Sequence, residues 1–185
     1  MSDRDHDLSL TDKPTVFVMS RPLKKKLLSS GIKAITHDDI RWQNCDIKAI
    51  TLLPSVLLRH KAKQQGAAEA LLLRDGKVTE GAASNIFICK QDQIVTPEKD
   101  NHVLPGITRD LLIEILKENN IDYVERMISA EELFAADEIW VTSSTWEIVP
   151  VVELDNKAIS NGLPGPIWHK VNALYQKYKA GFQEG

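Results

Sequence analysis

The chain has 185 residues, 43% hydrophobic and 26% charged, with a formal net charge of −3, which gives apolar material for one compact core and no strong field for nucleic acid. Cys45 and Cys89 stand 44 positions apart among apolar neighbours, which fits buried thiols in a reducing compartment better than a disulfide framework or a metal site. No Cys-x-x-Cys or His-x-x-x-His spacing, export leader or apolar run of membrane-span length occurs, so a cytoplasmic protein with no metal, membrane or nucleic-acid partner is expected.

Residues 1–13 read as a polar tail and Pro14 to Met19 as a strand, followed after Arg21-Pro22 by a solvated loop carrying Lys24, Lys25 and Lys26. Ile32 to Thr36 reads as the next strand. Asp39-Ile40-Arg41-Trp42 then leads into Cys45 to Pro54, an apolar stretch holding a single lysine. Read as a strand, it sends Asp46, Lys48 and Ile50 to one face and Cys45, Ile47 and Ala49 to the other. Lys48 has two readings. It snorkels from the wet side of the strand, or it is desolvated, loses proton affinity and becomes a nucleophile able to hold a carbonyl cofactor as a Schiff base.

Thr51 is placed to cap a helix striped by Leu52, Leu53, Val56 and Leu57, with Pro54 in its first turn and an end at Gly66. Glu69 to Leu73, the Asp75-Gly76 turn and Lys77 to Thr79 form the strongest hairpin signal, and the second strand delivers Glu80. Gly81-Ala82-Ala83-Ser84 is small enough for a flat ring to lie against backbone. Asn85 to Cys89 and Gln93 to Thr96 make a further hairpin.

Leu104-Pro105-Gly106 breaks the chain, and Ile107-Thr108-Arg109 opens a helix whose first N–H groups could receive an anion. An ordinary glycine-then-helix turn has the same pattern. Ile121 to Arg126 is a strand, and Ser129-Ala130-Glu131-Glu132 reads as a capping box. Glu138 to Thr142 runs into the hydroxyl cluster Ser143-Ser144-Thr145. Ile148 to Leu154 and Lys157 to Ile159 flank an Asp155-Asn156 turn, and Ile167, Val171, Leu174, Tyr175 and Tyr178 stripe a closing helix.

Taken together, Arg41-Trp42, the Cys-Asp-Ile-Lys48 stretch, Thr79-Glu80-Gly81-x-x-Ser84-Asn85-x-Phe87, Leu104-Pro105-Gly106-Ile107-Thr108-Arg109 and Val141-Thr142-Ser143-Ser144-Thr145 resemble the fold-type IV pyridoxal-phosphate enzymes. Within that group the likeness is nearest to the D-amino-acid aminotransferases, and less close to branched-chain aminotransferases and aminodeoxychorismate lyases. The resemblance implies an α+β fold, the large C-terminal domain of that group, with a β-rich sheet or barrel and flanking helices. It implies a tail over 1–13, a remnant of the small domain and substrate loop, and a cofactor-binding domain over 14–185. It also implies pyridoxal phosphate on Lys48, with Glu80 facing the pyridine nitrogen. Ile107, Thr108, Ser143 and Ser144 would contact the phosphate, and Arg4 and His6 the substrate carboxylate.

The reaction implied is transamination of an amino acid, D-alanine foremost, with 2-oxoglutarate or another 2-oxo acid as acceptor, in a cytoplasmic homodimer. Lys48 would move the proton between Cα and the cofactor. Trp146 stands where a smaller residue is expected and would narrow the substrate space. Members of the group are longer and carry a smaller amino-terminal domain, which supplies a phosphate-binding arginine and a tyrosine near the substrate. Neither has a counterpart here, so a non-catalytic remnant is the reading of a different class.

Overall fold

The computed structural model describes residues 16–22 and 28–181; Arg4, His6, the start of the strand expected at Pro14 and the lysine run at 24–26 lie outside them. Strand β1 (Ile32–Asp38) is followed by helix α1 (Leu53–Gln64), β2 (Glu69–Arg74), β3 (Lys77–Gly81), β4 (Asn85–Lys90), β5 (Gln93–Thr96) and α2 (Ile107–Glu118). Then come β6 (Tyr123–Glu125), β7 (Ile128–Ser129), α3 (Ala130–Phe134), β8 (Glu138–Ser143), β9 (Glu147–Leu154), β10 (Lys157–Ala158) and α4 (Pro166–Ala180).

The hairpins form where turn chemistry is local. Asp75 and Gly76, Gln91 and Asp92, and Asp155 and Asn156 all take positive φ, the twist that joins antiparallel strands through two residues. Ser129 accepts a hydrogen bond from the Glu132 N–H while the Glu132 carboxylate accepts from the Ser129 N–H, so the capping box forms as read.

The strands make one mixed sheet in the order β6-β5-β4-β8-β9-β1-β2-β3-β7, with β10 on β9. β1 lies parallel to both β2 and β9; most other pairings are antiparallel. The two end strands, β6 and β7, are separated in sequence only by Arg126 and Met127, and β3 meets β4 through a bridge from Gly81 to Ser84. The sheet is therefore curled into a half-barrel.

Both faces of the curl are covered, and strand alternation assigns residues to them. Ile86 and Ile88 join Val141, Val149, Val151 and Leu154 in one core, while Phe87 and Cys89 join Leu112, Leu116, Trp140, Trp168 and Val171 in another beneath α2 and α4. A third cluster seats Leu58 and Ala62 of α1 on Ile35, Ala70 and Leu72. The molecule is α+β, as expected.

Three expectations fail here. Residues 45–52 form no strand: local bonds from the Ile47 N–H to the Asn44 carbonyl, Ala49 to Ile47 and Leu52 to Ile50 coil the stretch into turns. Helix α1 starts from Leu52 without a side-chain cap, and the stripe Leu52, Leu53, Val56 and Leu57 faces outward while Leu58 and Ala62 face the sheet. Val16 to Met19 pairs with no described strand and lies exposed.

Candidate active site

Asp39, just past β1, has a fully buried side chain and gathers donors: the Arg41 Nε and Nη2, each at 2.9 Å, the Thr79 hydroxyl at 3.0 Å and the Arg74 Nη2 at 3.3 Å. Two parallel bonds fix the plane of the Arg41 guanidinium. Its Nη2 also donates to the His102 carbonyl at 3.1 Å, and its Nη1 donates to Glu80 Oε1.

Glu80, near the end of β3, is 4% exposed. Its other oxygen, Oε2, accepts from the Asn85 Nδ2 at 2.9 Å and from the Leu104 N–H at 3.1 Å. Burial pushes this carboxyl up to about 7, against the opposing pull of Arg41 and the Leu104 N–H. Burial also raises Asp39, but the hydrogen bonds and charge of Arg41, with Arg74 behind, outweigh it and hold Asp39 below the usual carboxylate range. Arg41 is shifted further up, because Asp39 and Glu80 together overcome its burial.

Asn85 opens β4 and ties Glu80 to α2. Its amide also donates to the Leu104 carbonyl at 2.8 Å, and a Cβ on Gly106 would lie 2.0 Å from its Oδ1. Only a glycine lets the start of α2 come so close. Gly106 is the N-cap of α2, no side chain caps it, and the first intrahelical bond runs from the Asp110 N–H to the Gly106 carbonyl. The N–H groups of the first turn, at Ile107 and Thr108, stand at the positive end of the helix dipole. Thr108 is buried and Ile107 exposed.

Across the sheet, Asn85 pairs in register with Thr142, one residue before Ser143 and two before Ser144. The Thr142 hydroxyl is buried without a partner among the described residues. Ser143 Oγ accepts from the Trp146 N–H at 3.2 Å and keeps its own proton to donate. Trp146 lies under the Arg59 guanidinium, 5.2 Å from its ring centre, and packs partly against the inner core.

Lys48 is exposed, in a loop, and makes no hydrogen bond or ion pair among the described residues. That loop is moored by the Cys45 N–H on the Asn101 carbonyl at 2.7 Å and by the Asn101 amide on the Gln43 carbonyl at 2.7 Å. The same 101–104 segment reaches Glu80. One end of the sheet thus gathers Glu80, the start of α2 and the serine turn, with the lysine loop anchored alongside. Two hollows flank it, one of about 240 Å³ lined by Arg74, Thr79 and His102 behind the Asp39 and Arg41 cluster, and one of about 200 Å³ lined by Thr145, Trp146 and Trp168 beyond the serine turn.

The sequence reading named Glu80 but not the Asp39, Arg41 and Arg74 cluster behind it. The available signal was the Asp-x-Arg spacing at 39–41 just ahead of an apolar stretch. It gave no partner, since Arg41 and Glu80 stand 39 positions apart.

A curled mixed sheet with a buried carboxylate beside an uncapped helix start suits one class, the fold-type IV aminotransferases, whose members use pyridoxal phosphate. The sequence matches the amino-transferase class IV family over residues 1–154, and the chain belongs to that family. It is 39% identical over 175 residues to a D-alanine aminotransferase of Bacillus licheniformis, covering 94% of this chain and 62% of that protein. A D-alanine aminotransferase of Staphylococcus haemolyticus is 34% identical over 181 residues, 96% of this chain and 64% of that one. Among solved structures, the branched-chain amino acid aminotransferase of Thermobaculum terrenum superposes with a TM-score of 0.80 at 28% identity, over 87% of this chain and 55% of its own. The branched-chain aminotransferase of Thermoproteus uzoniensis gives 0.76 at 32% identity, over 85% and 54%. The chain thus spans less than two thirds of each of these relatives.

Proposed function

We propose that residues 14–185 are the cofactor-binding domain of an aminotransferase that acts on a D-amino acid such as D-alanine, with 2-oxoglutarate or another 2-oxo acid as acceptor. The observation that carries this reading is the Glu80 carboxyl, buried and oriented by Arg41, Asn85 and the Leu104 N–H beside the uncapped start of α2. The likeness to D-alanine aminotransferases supports the substrate.

The residues present suit pyridoxal phosphate. Lys48 offers an unpaired amine, Glu80 a buried carboxylate for a ring N–H, and Ile107 and Thr108 uncapped N–H groups for a phosphate. Ser143 and Ser144 offer hydroxyl donors, and the unpartnered Thr142 hydroxyl lies next to them. When bound, the cofactor supplies an electron sink that makes the substrate Cα–H acidic. Lys48 Nζ takes that proton as general base and returns it as general acid. Glu80 keeps a proton on the ring nitrogen. Arg4 and His6, outside the described residues, would grip the substrate carboxylate.

Cytoplasmic location and a homodimer belong to the same reading. No helix among the described residues is long and apolar enough to cross a membrane. Ile47, Ile50, Leu52, Leu53, Val56 and Leu57, around and after Lys48, form an exposed apolar band suited to association.

The test is an absorption spectrum of the chain with added pyridoxal phosphate, repeated with Lys48→Ala and then with D- and L-amino acids. A visible band that requires Lys48 and bleaches with D-alanine is expected. No lysine-dependent band would sink the reading for this chain. Bleaching only by L-leucine or its kin would favour the second reading, branched-chain transamination, for which the solved neighbours speak.

A further inference from the structure

Glu80 is held more closely than a ring-nitrogen partner alone requires. Four charged side chains stand in line, from Arg74 on β2 through Asp39 and Arg41 after β1 to Glu80 on β3, and their formal charges cancel. Asp39 receives the two parallel bonds from Arg41, the Thr79 hydroxyl and Arg74, so it cannot turn without breaking several bonds. It fixes the guanidinium, and the fixed guanidinium meets Glu80 Oε1 with the nitrogen left over. Side-chain exposure is 10% for Arg41 and 5% for Glu80, so water screens the pair weakly.

We propose that Arg41, aimed by Asp39, is a positioning residue that holds the buried Glu80 carboxyl in one orientation and lowers its hold on a proton, so that it can pair with a protonated ring nitrogen. This rests on the cofactor reading above, but it concerns the bare chain. A buried carboxyl without a cation beside it takes up a proton and becomes a neutral acid. A neutral acid could not keep a pyridine nitrogen protonated. The groups facing Glu80 are Arg41, the amide of Asn85, the Leu104 N–H and, further off, Asp39 and the buried Cys45 thiol. Asp39 opposes ionisation of Glu80 by its charge; among the described residues Arg41 is the one cation in contact.

The experiment titrates the chain, free of pyridoxal phosphate, with its glutamate carboxyls enriched in carbon-13, and Glu80 is identified as the resonance missing from Glu80→Gln. Arg41→Gln keeps hydrogen-bond donors and drops the charge; Arg41→Lys keeps the charge. The midpoint of Glu80 should rise by about one unit or more in Arg41→Gln, a roughly tenfold gain in proton affinity, and by much less in Arg41→Lys. Equal midpoints in unmodified chain and Arg41→Gln, or equal shifts in the two variants, overturn the proposal. Should Arg41→Gln fail to fold, the unmodified chain still decides. Its Arg41 guanidinium nitrogen resonances should move with the Glu80 midpoint, and resonances indifferent to that titration overturn it. Because no cofactor is present, failure here is separate from failure of the absorption test with Lys48→Ala.

Discussion

At the residue scale, the ionisation of Glu80 is linked to stability. Its carboxyl titrates at about 7 in the folded chain because burial disfavours charge, against an ordinary value of 4.5. Between those values the folded chain binds more protons than the unfolded one, so stability falls as pH rises through that window and is level above it. Glu80→Gln should abolish the fall, on the order of 3 kcal/mol, in urea unfolding followed at several pH values. An unaltered slope in the variant would assign it to other groups. Glu80 was legible in the sequence because it sits in a compact motif with Gly81, Ser84 and Asn85. Its keepers were not, since Arg74 and Arg41 reach Asp39 and Glu80 through tertiary contacts that no local spacing encodes.

At the element scale, legibility followed the range of the forces. The hairpins at Asp75-Gly76 and Asp155-Asn156 and the Ser129 capping box are decided within four residues, and each forms as read. The lysine stretch has the alternation of a strand, but a strand also needs a free edge. Residues 45–52 pair with neither end strand of the sheet and make their backbone bonds locally, Ile47 to Asn44, Ala49 to Ile47 and Leu52 to Ile50, so they coil over the surface instead. Caps differ in what they satisfy. Ser129 serves one half-buried helix start, and Ser129→Ala should cost about 1 kcal/mol. Glu138 is buried, accepting from the Ile167 and Trp168 N–H groups at the start of α4 and from the Trp140 indole at 3.0 Å. Glu138→Ala strands all three donors and should cost about 3 kcal/mol. Calorimetric melting of the two variants compares them, and equal losses would refute the distinction.

At the scale of the whole molecule, the apolar band around α1 is the feature whose direction the sequence left open. Leu52, Leu53, Val56 and Leu57 stripe the helix in the sequence, but the sheet face is filled by Leu58 and Ala62 and the stripe faces outward. Leu53→Glu combined with Leu57→Glu changes only exposed positions, and should leave the melting temperature within a few degrees while abolishing concentration-dependent association in sedimentation. A melting temperature that falls steeply would mean that the band is internal structure after all.

The place of β1 in the sheet bears on the order in which this chain can be made. Its hydroxyl at Thr36 bonds Asp155, 119 residues downstream, and its backbone pairs with β9 on that side. A ribosome adding 5–20 residues per second needs roughly 6 to 24 s to cover that interval. Once β2 (Glu69–Arg74) has followed, β1 has it on one flank and an open hydrogen-bonding edge on the other until β9 arrives. The emerging polypeptide thus carries an adhesive strand through that interval, and a holding chaperone would find a binding segment there.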